Sequence, residues 1–368
     1  MSETASNTKI IEISAKQFLL LLVTYVISTA DVFLPAFVAQ EAKEDSWISV
    51  IIGTIGALII ANIFITLGLR YPKKTIIQYA SDIVGIPIGK IIGFSYAYYF
   101  IFVAWAVTRE LEEIFVTAFN PDAPIILYGI VTVIVAAYAV MNGLEVIARI
   151  NELLLPIGLI VLFGISLLNI PNVDLTNFLP VFYNGIIPSL KGGLFVQTWL
   201  IETVITLMLI PYIKEKEKAR KYLNFAILIL GGTLIVGAST IAVFGVSLTE
   251  KFLFPALEYV RYASLGPNIQ NLDMGIMLVW ITGIYIKIAL SYFVGVLALT
   301  QVIGSRSYKR LMVPIGIIII VFASASARML IELIYSIKYI LPFYFLVIAL
   351  IIPSILLLIS VIRKQKSS

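Results

Sequence analysis

The chain has 368 residues, of which 60% are hydrophobic and 13% charged, against about 25% charged in an ordinary soluble domain. It has no cysteine and no histidine, which excludes disulfides, thiol chemistry, Cys/His zinc sites and histidine proton shuttles. The net charge of +5 sits mostly in loops between apolar runs, so it is not a signal for nucleic acid.

Apolar runs long enough to cross a bilayer recur along the chain. Ten spans are expected, at 15–39, 47–69, 87–118, 124–141, 144–168, 187–212, 221–247, 271–303, 311–333 and 340–361. The polar start MSETASNTKIIEIS leads into the first of these with no small-residue cleavage site, and reads as an uncleaved span. The third and eighth spans exceed 30 residues and should tilt or project beyond the bilayer. This gives an all-α integral membrane protein. Its parts are a tail 1–14, five helices over 15–168, an outer loop 169–186, five helices over 187–361 and a tail 362–368.

Charge orients the spans. With the N-terminus in the cytoplasm, the inner side carries Lys9, Lys16, Arg149, the basic residues of 70–90, 214–221 and 306–310, and the tail 363–366. That is 18 of the 26 basic residues, against Lys43, Lys251, Arg261 and Lys338 outside. The positive-inside rule therefore predicts both termini in the cytoplasm. Outside, 250–267 mixes apolar and charged residues at helical spacing and reads as an interfacial amphipathic helix.

The first span contains VISTADVFLPAF. Pro35 lacks the amide that would bond the Asp31 carbonyl, so the helix is expected to open near Thr29–Asp31. Ser28 and Thr29 could bond the freed backbone, and Asp31 could accept from freed amides, hold a cation or pair with an arginine. The sixth span, LKGGLFVQTWLIETVITLMLIPYI, has Gly192 and Gly193 weakening its start and a polar island of Gln197, Thr198, Trp199 and Glu202. Lys191, at its outer end, reads as snorkelling. Interruptions at corresponding places in spans one and six suggest two five-helix halves with a midplane site between them.

Lys287 lies near the centre of span eight. An unpaired ammonium there costs about 2.5–3.5 kcal/mol on insertion scales, so it needs Asp31, Glu202 or a bound anion. The expected arrangement pairs it with Asp31, with Glu202 neutral or sharing a proton. In span three, Tyr96, Tyr99, Val103 and Ala106 share one face. Arg109, Glu110, Glu112 and Glu113 follow at its outer end, where Arg328 of span nine could complete an ion-pair network that gates or staples. Glu145 and Arg149 are spaced to pair on span five. No GxGxxG, P-loop, HExxH or GxSxG element occurs, so neither an enzyme nor a cofactor is expected.

Pro35, Ala39, Ala42, Asp45 and Trp47, in PAFVAQEAKEDSW, resemble the first-loop pattern of the spore germination B-subunit family, a branch of the amino acid–polyamine–organocation (APC) superfamily. Thr108–Arg109, Glu202 to Pro211 and Trp280 extend that resemblance over nearly the whole chain. It implies a LeuT-like fold, a five-plus-five inverted repeat with broken spans one and six. It also implies a small-molecule site flanked by spans three and eight, with Ser28, Tyr99, Val103, Trp199 and Lys287 in the pocket. In that family the ligand is a germinant, often an amino acid, and the partners are A-type and C-type subunits in the spore inner membrane. The chain departs from the family's pattern in two places. Its first span reads Ser-Thr-Ala-Asp where glycines are usual, and Lys43 stands where glycine is frequent. The competing readings are a self-sufficient amino acid or cation transporter, proton-coupled through Glu202 or Asp31, and a scaffolding subunit with a vestigial pocket.

The charge asymmetry gives a direct test. Cysteine placed at Lys73 or Lys309 should resist an impermeant thiol reagent added outside the cell, and cysteine at Lys251 should react. The opposite labelling pattern would overturn the orientation, and the cysteine-free chain gives a clean background.

Overall fold

The computed structural model describes residues 12–118, 122, 124–263, 272–325, 332, 335 to 364. Helices account for nearly all of them, and no β-strand forms among the described residues. Among the described residues, eight helical stretches are long and apolar enough to cross a membrane. Large apolar side chains such as Ile59, Ile134, Leu153, Ile160 and Leu358 stay exposed on them, as a lipid-facing surface requires.

α1 (Ala15–Ala42) begins at a capping box. The Ser14 hydroxyl accepts from the Gln17 amide at 3.0 Å, and the Gln17 side chain accepts from the Ser14 amide at 3.0 Å. The chain before it is pinned at its far end. The Ile13 amide donates to the Tyr212 carbonyl, the Lys214 amide to the Ile13 carbonyl, and the Ala15 amide to Glu215 at 2.9 Å. That amide bond holds the Glu215 carboxyl below the usual carboxylate range. Contrary to the expected opening at Thr29–Asp31, α1 runs unbroken through Pro35. Residues 28–39 are all buried, and packing on every side holds the helix where one backbone bond is missing. At Lys43, with φ 53°, a three-residue 3₁₀ turn leads into α2 (Ser46–Arg70).

A short helix absent from the expected spans, α3 (Ile76–Val84), follows, with its own Thr75–Gln78 capping box. Its face of Ile76, Ile77, Tyr79, Ala80 and Ile83 is buried. Gly85, at φ 86°, turns the chain directly into α4 (Ile86–Ala118). α5 (Ile125–Asn142) and α6 (Leu144–Leu168) follow. On α6, Arg149 pairs with Glu145 at 2.6 Å and Glu152 with Lys16 at 2.9 Å.

The sixth span is the broken one. α7 (Ile187–Leu200) stops at a 3₁₀ stretch, Ile201–Ile205; α8 (Thr206–Leu209) and a second 3₁₀ turn, Ile210–Tyr212, follow. Ile201, Thr203, Val204, Ile205 and Thr206 are β-branched and crowd a helix. The Thr203 hydroxyl takes the Leu200 carbonyl at 2.7 Å. Gly192 and Gly193 do not weaken the start as expected; α7 is regular there. They form a close-packed seam with α2. A Cβ on Gly192 would meet Ser49 Oγ at 2.5 Å, and one on Gly53 would meet Val196 Cβ at 2.6 Å and the Gly193 carbonyl at 2.7 Å. Small residues at such seams let membrane helices approach closely.

The chain continues through α9 (Ala219–Phe244), α10 (Val246–Thr249) and α11 (Pro255–Tyr262). α11 falls in the stretch read as an amphipathic helix, and buries Leu257, Tyr259 and Val260. α12 (Leu272–Ile303) packs along α4. These two helices, of 33 and 32 residues, are each nearly 50 Å long at 1.5 Å per residue, well beyond the hydrocarbon thickness. α13 (Lys309–Ala325), α14 (Leu341–Leu346) and α15 (Ile352–Ile362) follow, with π-helical turns at Ser336–Ile340 and Val347–Ile351 on either side of α14.

The glycine seam yields a prediction. Gly53→Val should overpack α2 against α7 and cost about 1–3 kcal/mol, seen as a lower thermal unfolding midpoint of the purified protein. An unchanged midpoint would mean the seam is looser than drawn.

Candidate functional site

The expected site residues divide between two faces of α1. On one face, Thr29 borders a chamber also lined by Val103, Glu110, Thr198, Trp199, Glu202 and Lys287. Phe102, Ala106 and Val107 of α4, with Leu341 and Phe345 of α14, close it. The helix spacing explains the α4 contribution, because residues 103, 106, 107 and 110 recur at steps of three and four.

The centre of this chamber is an ion pair. Lys287 Nζ donates to Glu202 Oε2 at 2.6 Å and to Thr29 Oγ1 at 2.6 Å, and lies 5.2 Å from the centre of the Tyr25 ring. The side chains are 1% and 6% exposed for Lys287 and Glu202, so the charges are almost wholly dehydrated. An ammonium has three donors; two bonds and a cation–π face use the available directions. Glu202 reaches this position because the helix breaks beside it. Tyr25 was not singled out from the sequence, although it lies four residues before Thr29 and therefore on the same face.

The expected Lys287–Asp31 pair does not form. Asp31 lies on the opposite face of α1, with Ser28, in a second chamber lined also by Thr24, Asn151, Trp280 and Thr282. Thr24 Oγ1 donates to Asn151 Oδ1 at 2.6 Å. Ser28 Oγ, Asp31 Oδ1 and Asn151 Nδ2 are buried without a hydrogen-bond partner. Residues 28 and 29 are adjacent and point about 100° apart around a helix, so a continuous α1 must send them to different sides. Asn151 also escaped the sequence reading; it sits between Arg149 and Glu152 in the charged first part of span five, so it read as part of that polar stretch.

The remaining expected residues are peripheral. Tyr99 is buried against Phe345 and Tyr344, with ring centres 5.3 and 6.0 Å away, and does not line the chamber. Arg109 bonds Glu112 at 3.5 Å and Glu113 more closely, while Glu110, grouped with it in the sequence, faces the chamber of Lys287 instead. Arg328, the other proposed member of that network, lies outside the described residues. No cluster of three or more carboxylates suited to a metal occurs among the described residues.

Residues 12–330 match the model of the family described as spore germination protein. The chain belongs to the spore germination protein family. Spore germination protein KB of Bacillus subtilis (strain 168) is 27% identical over 363 residues, covering 96% of each chain. Spore germination protein XB of Bacillus anthracis is 26% identical, covering 69% of this chain and 71% of that one. Among solved structures, the nucleobase–cation symporter Mhp1, closed with bromovinylhydantoin bound, superposes with a TM-score of 0.68 at 14% identity, covering 95% of this chain and 78% of Mhp1. MhsT in complex with L-phenylalanine gives 0.64 at 12% identity, covering 96% and 99%. This member of the spore germination protein family is thus a multi-pass membrane protein with the fold of these transporters.

The ion pair makes a quantitative prediction. Lys287→Met should cost about 3–5 kcal/mol, because it leaves Glu202 buried and unpaired. The double variant with Glu202→Gln should lose less than the sum of the single losses, by about 0.5–3 kcal/mol. Asp31→Asn combined with Lys287→Met should instead add to within roughly 0.5 kcal/mol. Thermal unfolding of the purified variants distinguishes the two pairs, and additivity for Glu202 and Lys287 would contradict the contact.

Proposed function

We propose that the chain is the germinant-sensing membrane subunit of a spore nutrient receptor, binding an amino acid or similar small molecule between spans one, three, six and eight. The observation that carries this reading is the Lys287–Glu202 pair facing a chamber walled by Trp199, Phe102 and Phe345. A zwitterion matches such a pair. Its carboxylate can take the Lys287 ammonium, and its own ammonium can take Glu202 and Glu110, so both buried charges remain paired after the ligand enters. The aromatic wall accepts an apolar side chain. Family membership supports the germination context, and the fold neighbour MhsT holds an amino acid, L-phenylalanine.

The reading takes ten crossings, two of them from the stretch Ala15–Arg70, with both termini in the cytoplasm and the protein in the spore inner membrane. A- and C-type subunits are its partners. The chain itself is not an enzyme. The fold of the neighbours favours one competitor, a stand-alone transporter of the APC superfamily.

Purified chain in liposomes separates these readings. Equilibrium binding of radiolabelled amino acids should be detected, without accumulation inside the vesicles. Filling the chamber with Val103→Trp should abolish that binding while the protein stays folded. Accumulation by the chain alone would favour the transporter, and binding that survives Val103→Trp would move the ligand out of this chamber.

A further inference from the structure

A third concavity lies on the other side of α14 from the charged chamber. It is a long groove between α7 and the last span. Lys191, Glu41 and Lys338 stand at one end, and Leu194, Phe195, Phe343, Leu346 and Leu350 form its walls. Its lining is overwhelmingly apolar, and it opens sideways, with Leu194 and Phe343 exposed at 60% and 74%. In a chain that crosses a membrane, such an opening faces acyl chains rather than water.

Length and charge identify the occupant. From Lys338 to Leu350 the last span advances about 18 Å at 1.5 Å per residue. Half of a hydrocarbon core of about 30 Å is about 15 Å, so the groove is as deep as one leaflet. The basic residues are confined to one end. Lys338 Nζ donates to Gln40 Oε1 at 2.8 Å and lies 3.8 Å from Glu41 Oε1. Glu41 therefore offsets one lysine only, and among the described residues no carboxylate pairs with Lys191. The mouth keeps a net positive charge at the depth where a headgroup phosphate lies.

The backbone of the last span is also unusual here. Two π-helical turns, Ser336–Ile340 and Val347–Ile351, contribute Lys338, Tyr339 and Leu350 to the groove. π-turns are rare and concentrate at functional sites. Between them, α14 has two working faces. Leu341 and Phe345 close the charged chamber, while Pro342, Phe343 and Leu346 line the groove; Thr198 borders both.

We propose that this groove binds one anionic phospholipid, its phosphate between Lys191 and Lys338 and one acyl chain along Leu194, Phe343, Leu346 and Leu350. The lipid then packs against the back of the helix that walls the chamber. This site depends on the chain crossing a membrane and not on the identity of the germinant.

The test uses the full chain in detergent, exposed to mixed micelles of phosphatidylglycerol and phosphatidylcholine and examined by native mass spectrometry. One phosphatidylglycerol should be retained in preference to phosphatidylcholine. Lys191→Gln with Lys338→Gln should lower its retention about tenfold. Lys191→Gln alone, at an exposed position, should lower it by a smaller factor even if the double variant folds poorly. Leu346→Trp, which fills the groove, should lower retention of both lipids without lowering the thermal midpoint. Equal retention of the two lipids, or retention unaffected by the lysine variants, would overturn the proposal. A photo-crosslinker at Phe343 in native membranes should yield a phospholipid adduct; a protein adduct in its place would make the groove a subunit interface and would also overturn it.

Discussion

The dehydrated contact between Lys287 and Glu202 constrains the centre of the molecule. Neither charge can be left unpaired at that depth, so α12, the broken sixth span and α1 must meet within hydrogen-bonding distance at one point. The break at Ile201–Ile205 serves this contact. It places Glu202 between α1 and α12, and the Thr203 hydroxyl donates a further bond to the Leu200 carbonyl where the tighter turn begins. The aromatic wall then excludes water, which strengthens the attraction and raises the penalty for losing either partner.

The continuity of α1 is the second constraint. Because the helix does not open, its two faces serve different chambers, with Thr29 on one side and Ser28 and Asp31 on the other. The two compartments are therefore separated by the thickness of a single helix. The second chamber contains three buried polar atoms without partners, where most buried polar groups are hydrogen-bonded. The first contains a fully engaged lysine. Movement of α1 would be felt in both.

Close helix contacts hold this frame rigid. The glycine seam between α2 and α7 fixes the first part of the sixth span. α12 meets α4 equally closely at Gly295, where a Cβ would lie 2.9 Å from Ile101 Cγ1. On the opposite side of the site, α14 is short, is bounded by π-turns and borders a groove. The chamber thus has rigid walls on α4, α7 and α12 and a less regular one on the last span.

Much of the architecture was legible in the sequence because membrane spans obey a single strong rule. Backbone polar groups in lipid must be satisfied within the segment, so long apolar runs become helices whatever their neighbours do. The apolar runs, the pairing of Glu145 with Arg149 and the membership of Glu202 and Lys287 in one buried cluster followed from composition, spacing and the cost of burying charge. The short α3 did not, since nine residues with one apolar face carry no spanning signal. Which acid meets Lys287 was also beyond the sequence. Asp31 and Glu202 are equally expensive to bury, and only the azimuth of each side chain around its helix separates them. That azimuth depends on whether Pro35 opens α1 or packing holds it closed, and on where a β-branched run gives way in the sixth span. Local propensity favoured the first break; burial of α1 on all sides overruled it, and tertiary packing left the second as the one that delivers the carboxylate.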